Sequence, residues 1–243
     1  MTDVEPRVRL SIEDGIAIVT LDRPSVRNAM DARMVADLAD VMRAVGESDE
    51  IRVVLLAAAG PSFCSGIDTR HPFPSDIESL YRDARADRDA VVLCRKPVIA
   101  AVSGAAFGAG CELALMCDII LADSTARFAL PEISRDTMPG FGGTQRLVRL
   151  VGRLLAMEIC LTGRIVPAEE AAAIGMVNRV VAPDALLSEA REMARQIARP
   201  SPLATMMIKE AINGADESFL KAGLQLERRL SQLSLSARTG IRG

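Results

Sequence analysis

An α/β fold is the class this sequence predicts, on three observations. Residues 53–57 and 97–102 are short, continuously apolar runs rich in β-branched residues, which suits strands buried on both faces. Segments with apolar residues at helical spacing alternate with such runs, which favours α/β over all-α. No 20–50-residue repeat and no low-complexity stretch points elsewhere. The 243 residues can bury a sizeable core as one large domain, or as one with a small appendage.

In chain order, Ile12, Ile16, Ile18 and Thr20 alternate about the turn pair Asp14-Gly15, which predicts a β-hairpin. A polar loop, residues 21–29, leads to a helix with Met30, Met34, Leu38, Val41, Met42 and Val45 on one face. Arg33, Asp37, Asp40 and Arg43 lie opposite, and Gly46 is its expected stop. A strand over 53–57 is broken by Ala58-Ala59-Gly60-Pro61. Residues 69–89 carry no readable pattern, and His71, the only histidine, is read there as a surface residue. The strand over 97–102 is broken by Gly104, Gly108 and Gly110, and an apolar helix-like segment, 111–117, follows. Helices are expected over 147–151 and 154–161, interrupted near Gly152, and over 167–174, stopped by Gly175. A strand over 177–181 and a helix over 186–197 precede the boundary Arg199-Pro200-Ser201-Pro202. Beyond it, Leu203, Met206, Met207, Ala211 and Ile212, then Phe219, Leu220, Leu224 and Leu226, mark helices too apolar to stand alone in water.

Composition excludes several function classes. A net charge of −3 gives no reason to expect a nucleic acid or an anionic membrane as partner. Aromatic residues make up 3% with no Trp, so base-stacking platforms are hard to assemble. The five cysteines form no CxxC pair and share one histidine, so no zinc site is supported; buried thiols in a reducing compartment are the simpler reading. Residues 1–8 resemble neither a signal nor a transit peptide, and glycines, Glu112 and Asp118 interrupt the apolar stretch 97–122. A soluble, cytoplasmic protein is expected.

Chemistry points to residues 96–146. Glu112 sits among Cys111, Leu113, Ala114, Leu115 and Met116, where no helix face is polar. A carboxylate there must be paired, hydrogen-bonded or functional, because burying it ionised is expensive. Glu132 appears twenty residues on, in Ala129-Leu130-Pro131-Glu132-Ile133. Two carboxylates in dry surroundings beside a glycine loop suggest acid–base work; the bland alternative is a pair of structural carboxylates capped by backbone amides.

Gly108-Ala109-Gly110-Cys111-Glu112-Leu113-Ala114, Pro131-Glu132-Ile133 and Pro139-Gly140-Phe141-Gly142-Gly143-Thr144-Gln145-Arg146-Leu147 stand in order and at set gaps. In this the chain resembles the enoyl-CoA hydratase (crotonase) family from about Ile16 to Arg229. The resemblance implies the crotonase fold of repeated ββα units, with a core over residues 1–197 and a helical oligomerisation region over 198–243. It implies a homotrimer or dimer of trimers, with coenzyme A as part of an acyl-CoA thioester substrate and no metal or redox cofactor. It also implies that an enoyl-CoA is hydrated, with Glu112 as base toward water and Glu132 as proton donor. The amides of Ile67 and Ala109 would polarise the thioester carbonyl. Binding of the CoA part is implied for Arg23, Arg27 and Ala29, for Ser65, Gly66 and Asp68, and for Gly108 and Gly140. Residues 69–89 would wall the acyl pocket.

The rival readings are isomerisation with Glu132 as sole proton carrier and a non-catalytic thioester-binding protein. RNA binding is discounted, since Arg33 and Arg43 face Asp31, Asp37 and Asp40 on the first helix. Two departures from the family pattern stand out: Arg135-Asp136-Thr137 adds a carboxylate at Asp136, and the chain ends at Gly243, where relatives usually continue.

Overall fold

A computed structural model describes residues 7–70, 87 and 89–217. The α/β expectation holds. Six strands form one sheet in the order β1-β2-β3-β4-β6-β9, and three short strands form a second, β5-β7-β8. The hairpin about Asp14-Gly15 is β1 (Val8–Glu13) and β2 (Ile16–Leu21), paired antiparallel from Val8↔Leu21 to Glu13↔Ile16. Asp14 and Gly15 both take positive φ, as a tight two-residue turn requires. β3 (Val53–Ala58), β4 (Val98–Val102), β6 (Ile119–Asp123) and β9 (Arg179–Val181) extend the sheet in parallel.

The continuous apolar runs have a simple cause. On β3, Val53, Leu55 and Ala57 pack with Ile16, Ile18, Ile99, Ala101 and Leu121 against Leu186, Ala190 and Ala194 of one helix. Val54 and Leu56 turn the other way, into the larger core with Leu21, Met34, Met42, Phe63 and Phe128. With both faces covered, every position is apolar.

The helices are α1 (Ala32–Glu47), α2 (Ala90–Leu93), α3 (Ala109–Leu115), α4 (Gly143–Val151), α5 (Arg153–Thr162), α6 (Ala168–Ala173), α7 (Leu186–Ala198) and α8 (Pro202–Glu217). α1 starts where the Asp31 carboxylate accepts the Met34 N–H at 2.9 Å. It runs through Gly46 rather than stopping there, and ends at Glu47. The helix expected over 111–117 begins two residues earlier, at Ala109, so the glycine turn feeds it directly. Gly152 does divide α4 from α5, with φ +79°. The second sheet was not anticipated: β5 (Ala105–Phe107), β7 (Arg127–Ala129) and β8 (Val166–Pro167) are too short for a period to show. His71, nearly all of 69–89 and the apolar positions at 219–226 lie outside the described residues.

Candidate active site

The loop after β3 and the turn after β5 meet here. Cys64 pairs with Ala106 as an isolated parallel bridge, and Ile67 does the same with Met30. The Met30 N–H donates to Gly66 O and the Asp68 N–H to Met30 O, both at 2.8 Å, while the Ser65 N–H donates to Arg27 O at 3.0 Å. Gly66 has φ +102°, and a Cβ on it would stand 3.0 Å from Phe107 O and 3.9 Å from Ala109 N. The loop carrying Ile67 therefore lies directly against the turn carrying Ala109. Ala109 opens α3, where its N–H has no partner inside the helix. Among the described residues neither the Ile67 nor the Ala109 N–H is given an acceptor.

Gly108 makes the turn at φ +51°, ψ −123°, a conformation open essentially to glycine. Its N–H donates to Ala129 O and its C=O accepts from the Glu112 N–H, each at 2.9 Å. A Cβ on Gly108 would stand 2.9 Å from Glu132 Oε1. The Glu132 carboxylate, from a 3₁₀ turn over Pro131–Arg135, thus reaches this residue, and Glu112 stands one turn along α3 from it.

Their surroundings differ. Glu112 is buried, and its Oε1 accepts the Gly143 N–H at 2.7 Å and the Phe141 N–H at 2.8 Å. Those amides belong to the entry of α4, so the carboxylate caps a helix N-terminus from a distant segment. Burial raises its proton affinity, while the amides of Gly143, Phe141 and Gly140 and the charge of Arg146 lower it. Glu132 is half-buried, and its Oε2 is shut away from water without a hydrogen-bond partner. Burial raises its proton affinity too; its own backbone N–H opposes this, the Glu112 charge adds to it, and Arg135 opposes it. The Cys160 thiol on α5 is likewise raised by burial and by the charges of Glu132 and Glu112, so it faces the same site.

A narrow, mostly apolar crevice lies beside Ala109, lined by Met30, Val35, Leu38, Asp87, Leu113, Met116 and Phe141. The remaining predicted residues fall around it unequally. Arg27 is exposed at φ +53°, and Ala29 is buried next to it. The Arg23 guanidinium is turned inward, donating to Ala29 O and pairing with Asp68 at 3.1 Å and Asp31 at 3.4 Å. Arg70 and Arg23 hold the buried Asp68 carboxyl well below the usual carboxylate range. Ser65 reaches Val26 O at 3.4 Å, and a Cβ on Gly140 would meet nothing within 4 Å. Asp136, the unexpected carboxylate, ends the 3₁₀ turn at φ +54° with its side chain exposed, which is the role of a turn cap.

Sequence reasoning missed the amides of Phe141 and Gly143, Arg146 and Cys160. A signal for the amides existed: a glycine pair just ahead of a helix leaves N–H groups free for an anion. Among the described residues there is no cluster of three or more His, Cys, Asp or Glu that could hold a metal ion. None of their helices is long and apolar enough to cross a membrane.

The Enoyl-CoA hydratase/isomerase family model matches residues 11–240. "Probable enoyl-CoA hydratase" of Rhizobium meliloti (strain 1021) is 44% identical over 218 residues, covering 89% of this chain and 85% of that one. The 2,3-dehydroadipyl-CoA hydratase of Escherichia coli (strain K12) is 39% identical over 225 residues, covering 92% and 88%. Among solved structures, a Thermobifida fusca YX protein in complex with CoA superposes with TM-score 0.89 at 32% identity, covering 97% of this chain and 95% of that one.

Proposed function

Since the chain belongs to the enoyl-CoA hydratase/isomerase family and has its α/β crotonase fold, we propose that it adds water across the 2,3 double bond of a trans-2-enoyl-CoA, giving the 3-hydroxyacyl-CoA. One observation carries this reading. Two glutamates from separate segments lie near enough for the charge of Glu112 to act on Glu132, one with an oxygen that accepts two backbone amides and one with an unpartnered oxygen, next to two amides without acceptors.

The chemistry follows from those differences. The N–H groups of Ile67 and Ala109 receive the thioester oxygen, and the start of α3 adds its positive end as enolate charge builds there. Water sits between the two carboxyl groups. Glu112, raised above its ordinary pKa by burial, with its amide donors partly offsetting this, takes a proton as the water oxygen bonds to C3. Burial first, and then the Glu112 charge, raise the Glu132 carboxyl above its ordinary pKa, and its Oε2 has no donor, so it holds a proton that it delivers to C2. Exchange with solvent returns both groups to their starting states. The acyl chain runs along the apolar side chains of Leu113, Met116 and Phe141. Arg27 faces the phosphates of CoA. Arg23 supports the same loop from inside, because its guanidinium is already engaged.

No metal or redox cofactor enters this scheme. The setting is cytoplasmic turnover of fatty acyl thioesters of the β-oxidation type. Residues 1–197 act as the catalytic core, and residues 198–243 carry assembly into a homotrimer or dimer of trimers.

The test is loss of the enoyl-thioester absorbance with crotonyl-CoA and longer enoyl-CoAs, on wild type, Glu112→Ala and Glu132→Ala. Both variants should fall by at least about 10²-fold, as loss of a positioned acid or base gives. If only Glu132→Ala matters, isomerisation replaces hydration. An inert wild type that binds CoA thioesters makes this a binding protein.

A further inference from the structure

Glu112 is held by a loop with little stiffness of its own. Pro139-Gly140-Phe141-Gly142-Gly143 has three glycines in five positions, and glycine leaves the backbone freer than any other residue. Yet the Phe141 and Gly143 amides must both aim at one carboxylate oxygen. Arg146 lies on the first turn of α4, half-buried, and its Nη1 donates to Phe141 O at 2.8 Å. Phe141 is thus gripped at both ends of its backbone, by Glu112 at the N–H and by Arg146 at the carbonyl. The guanidinium also lies across Gly142, whose φ is +91°; a Cβ there would collide with Nη1. A side chain on Gly142 would therefore displace the guanidinium from this place.

We propose that Arg146 is the positioning residue for Glu112, fixing through the Phe141 carbonyl the peptides whose amides hold the catalytic carboxylate. The proposal rests on Glu112 being the base toward water. Its cation also acts through space, favouring the ionised carboxylate. Burial acts against that, and Glu132 on the 3₁₀ turn is the carboxylate on which the Glu112 charge acts. The Cys160 thiol on α5 and the Cys111 thiol on α3 are raised by burial first and then by the charges of the two glutamates, so both add neutral surroundings. Arg135 is the other cation nearby, and it acts on Glu132.

Arg146→Gln and Arg146→Lys in the full chain test this. The first readout needs no turnover: infrared difference spectra across pH, with Glu112→Gln used to assign the Glu112 carboxyl band. In Arg146→Gln the Glu112 midpoint should rise by at least about half a pH unit, and Lys, which keeps the charge but not the planar fork, should fall between. In the assay kcat should drop about 10- to 100-fold with KM changed less than about threefold, and the acid limb of kcat/KM should follow the midpoint. A midpoint and acid limb unmoved in Arg146→Gln overturn the proposal. So does a loss of kcat that tracks only a fall in Tm. If Arg146→Gln does not fold, Arg146→Lys decides: kcat down at least about fivefold at unchanged KM supports positioning, and wild-type kcat overturns it. A wild type that hydrates nothing while Arg146→Gln still raises the midpoint keeps the positioning role and removes the hydratase reading.

Discussion

At the scale of single residues, two glutamates of one chemistry are made different by what they touch. Glu112 accepts two amide protons, and Glu132 leaves an oxygen bare. Glu132 carries a signed consequence for stability. Burial, with help from the Glu112 charge, raises its pKa above the ordinary 4.5. Between the unfolded and folded pKa values the native chain binds the proton more readily than the unfolded chain does. Stability contributed by the protonated group is therefore present below the unfolded pKa and is lost as pH rises through the folded one. Glu132→Gln should accordingly melt higher than wild type at neutral and alkaline pH while losing activity. The gain should vanish below about pH 4, where both states of wild type are protonated. Melting curves across pH check this, and an equal Tm at pH 8 would mean that the bare oxygen is solvated. Gly108 is equally exposed to test. Ala there must adopt a positive φ and push against Glu132 Oε1, so Gly108→Ala should lose about 1 kcal/mol or more of stability and most of its activity.

At the scale of elements, the site depends on how the 62–70 loop and the start of α1 are tied together. Asp31 caps α1 through the Met34 N–H and pairs with Arg7 and Arg23, and Arg23 continues to Asp68. Asp31→Ala should thus cost about 1–3 kcal/mol, roughly 1 from the cap and the rest from Arg7 losing its pair, since Arg23 keeps Asp68 and Ala29 O. Arg43→Ala on the same helix should stay within about 0.5 kcal/mol, because its pairs with Asp40 and Asp87 are exposed. Denaturant melts compare them, and equal losses would refute the bracket. The same elements show what was legible beforehand. α1, α4, α5 and α7 carry enough turns for a stripe to show, and β3 and β4 read as buried because both faces are covered. β5, β7 and β8 have two or three residues each, set by pairing partners distant in sequence, so no local pattern announces them. The glutamates stood out by being charged among apolar neighbours. Arg146 did not, because its partner is a backbone carbonyl that any residue could supply.

At the scale of the molecule, Lys209 ties α8 to the rest among the described residues. Lys209 Nζ donates to Asp118 Oδ2 at 2.7 Å and to Lys96 O at 3.0 Å, at the ends of α2–β4 and α3–β6. Asp118 also accepts the Val98 N–H at 2.7 Å, so it keeps a partner if the lysine is removed. Apart from this, α8 is at most half-buried along its length, and Ile208 and Ile212 point into solvent, 61% and 63% exposed. A helix of this length is marginal in water without tertiary packing, so something should cover that side. A second copy is the occupant the oligomer reading requires. A competing apolar face exists on α4 and α5, where Leu150, Leu154, Met157 and Leu161 are exposed. Lys209→Ala separates the two. It should lower stability by about 1–3 kcal/mol, or about 2–4 °C in Tm for each kcal/mol, because it removes a charge-assisted bond. If α8 also carries the contact between copies, loosening it should shift the light-scattering mass toward monomer at micromolar concentration. A lower Tm with a mass unchanged and above that of one chain would place the contact on the α4–α5 face, and Leu154→Glu, on an 80% exposed side chain, should then break it without touching Lys209, whereas a monomer mass for wild type refutes the oligomer reading.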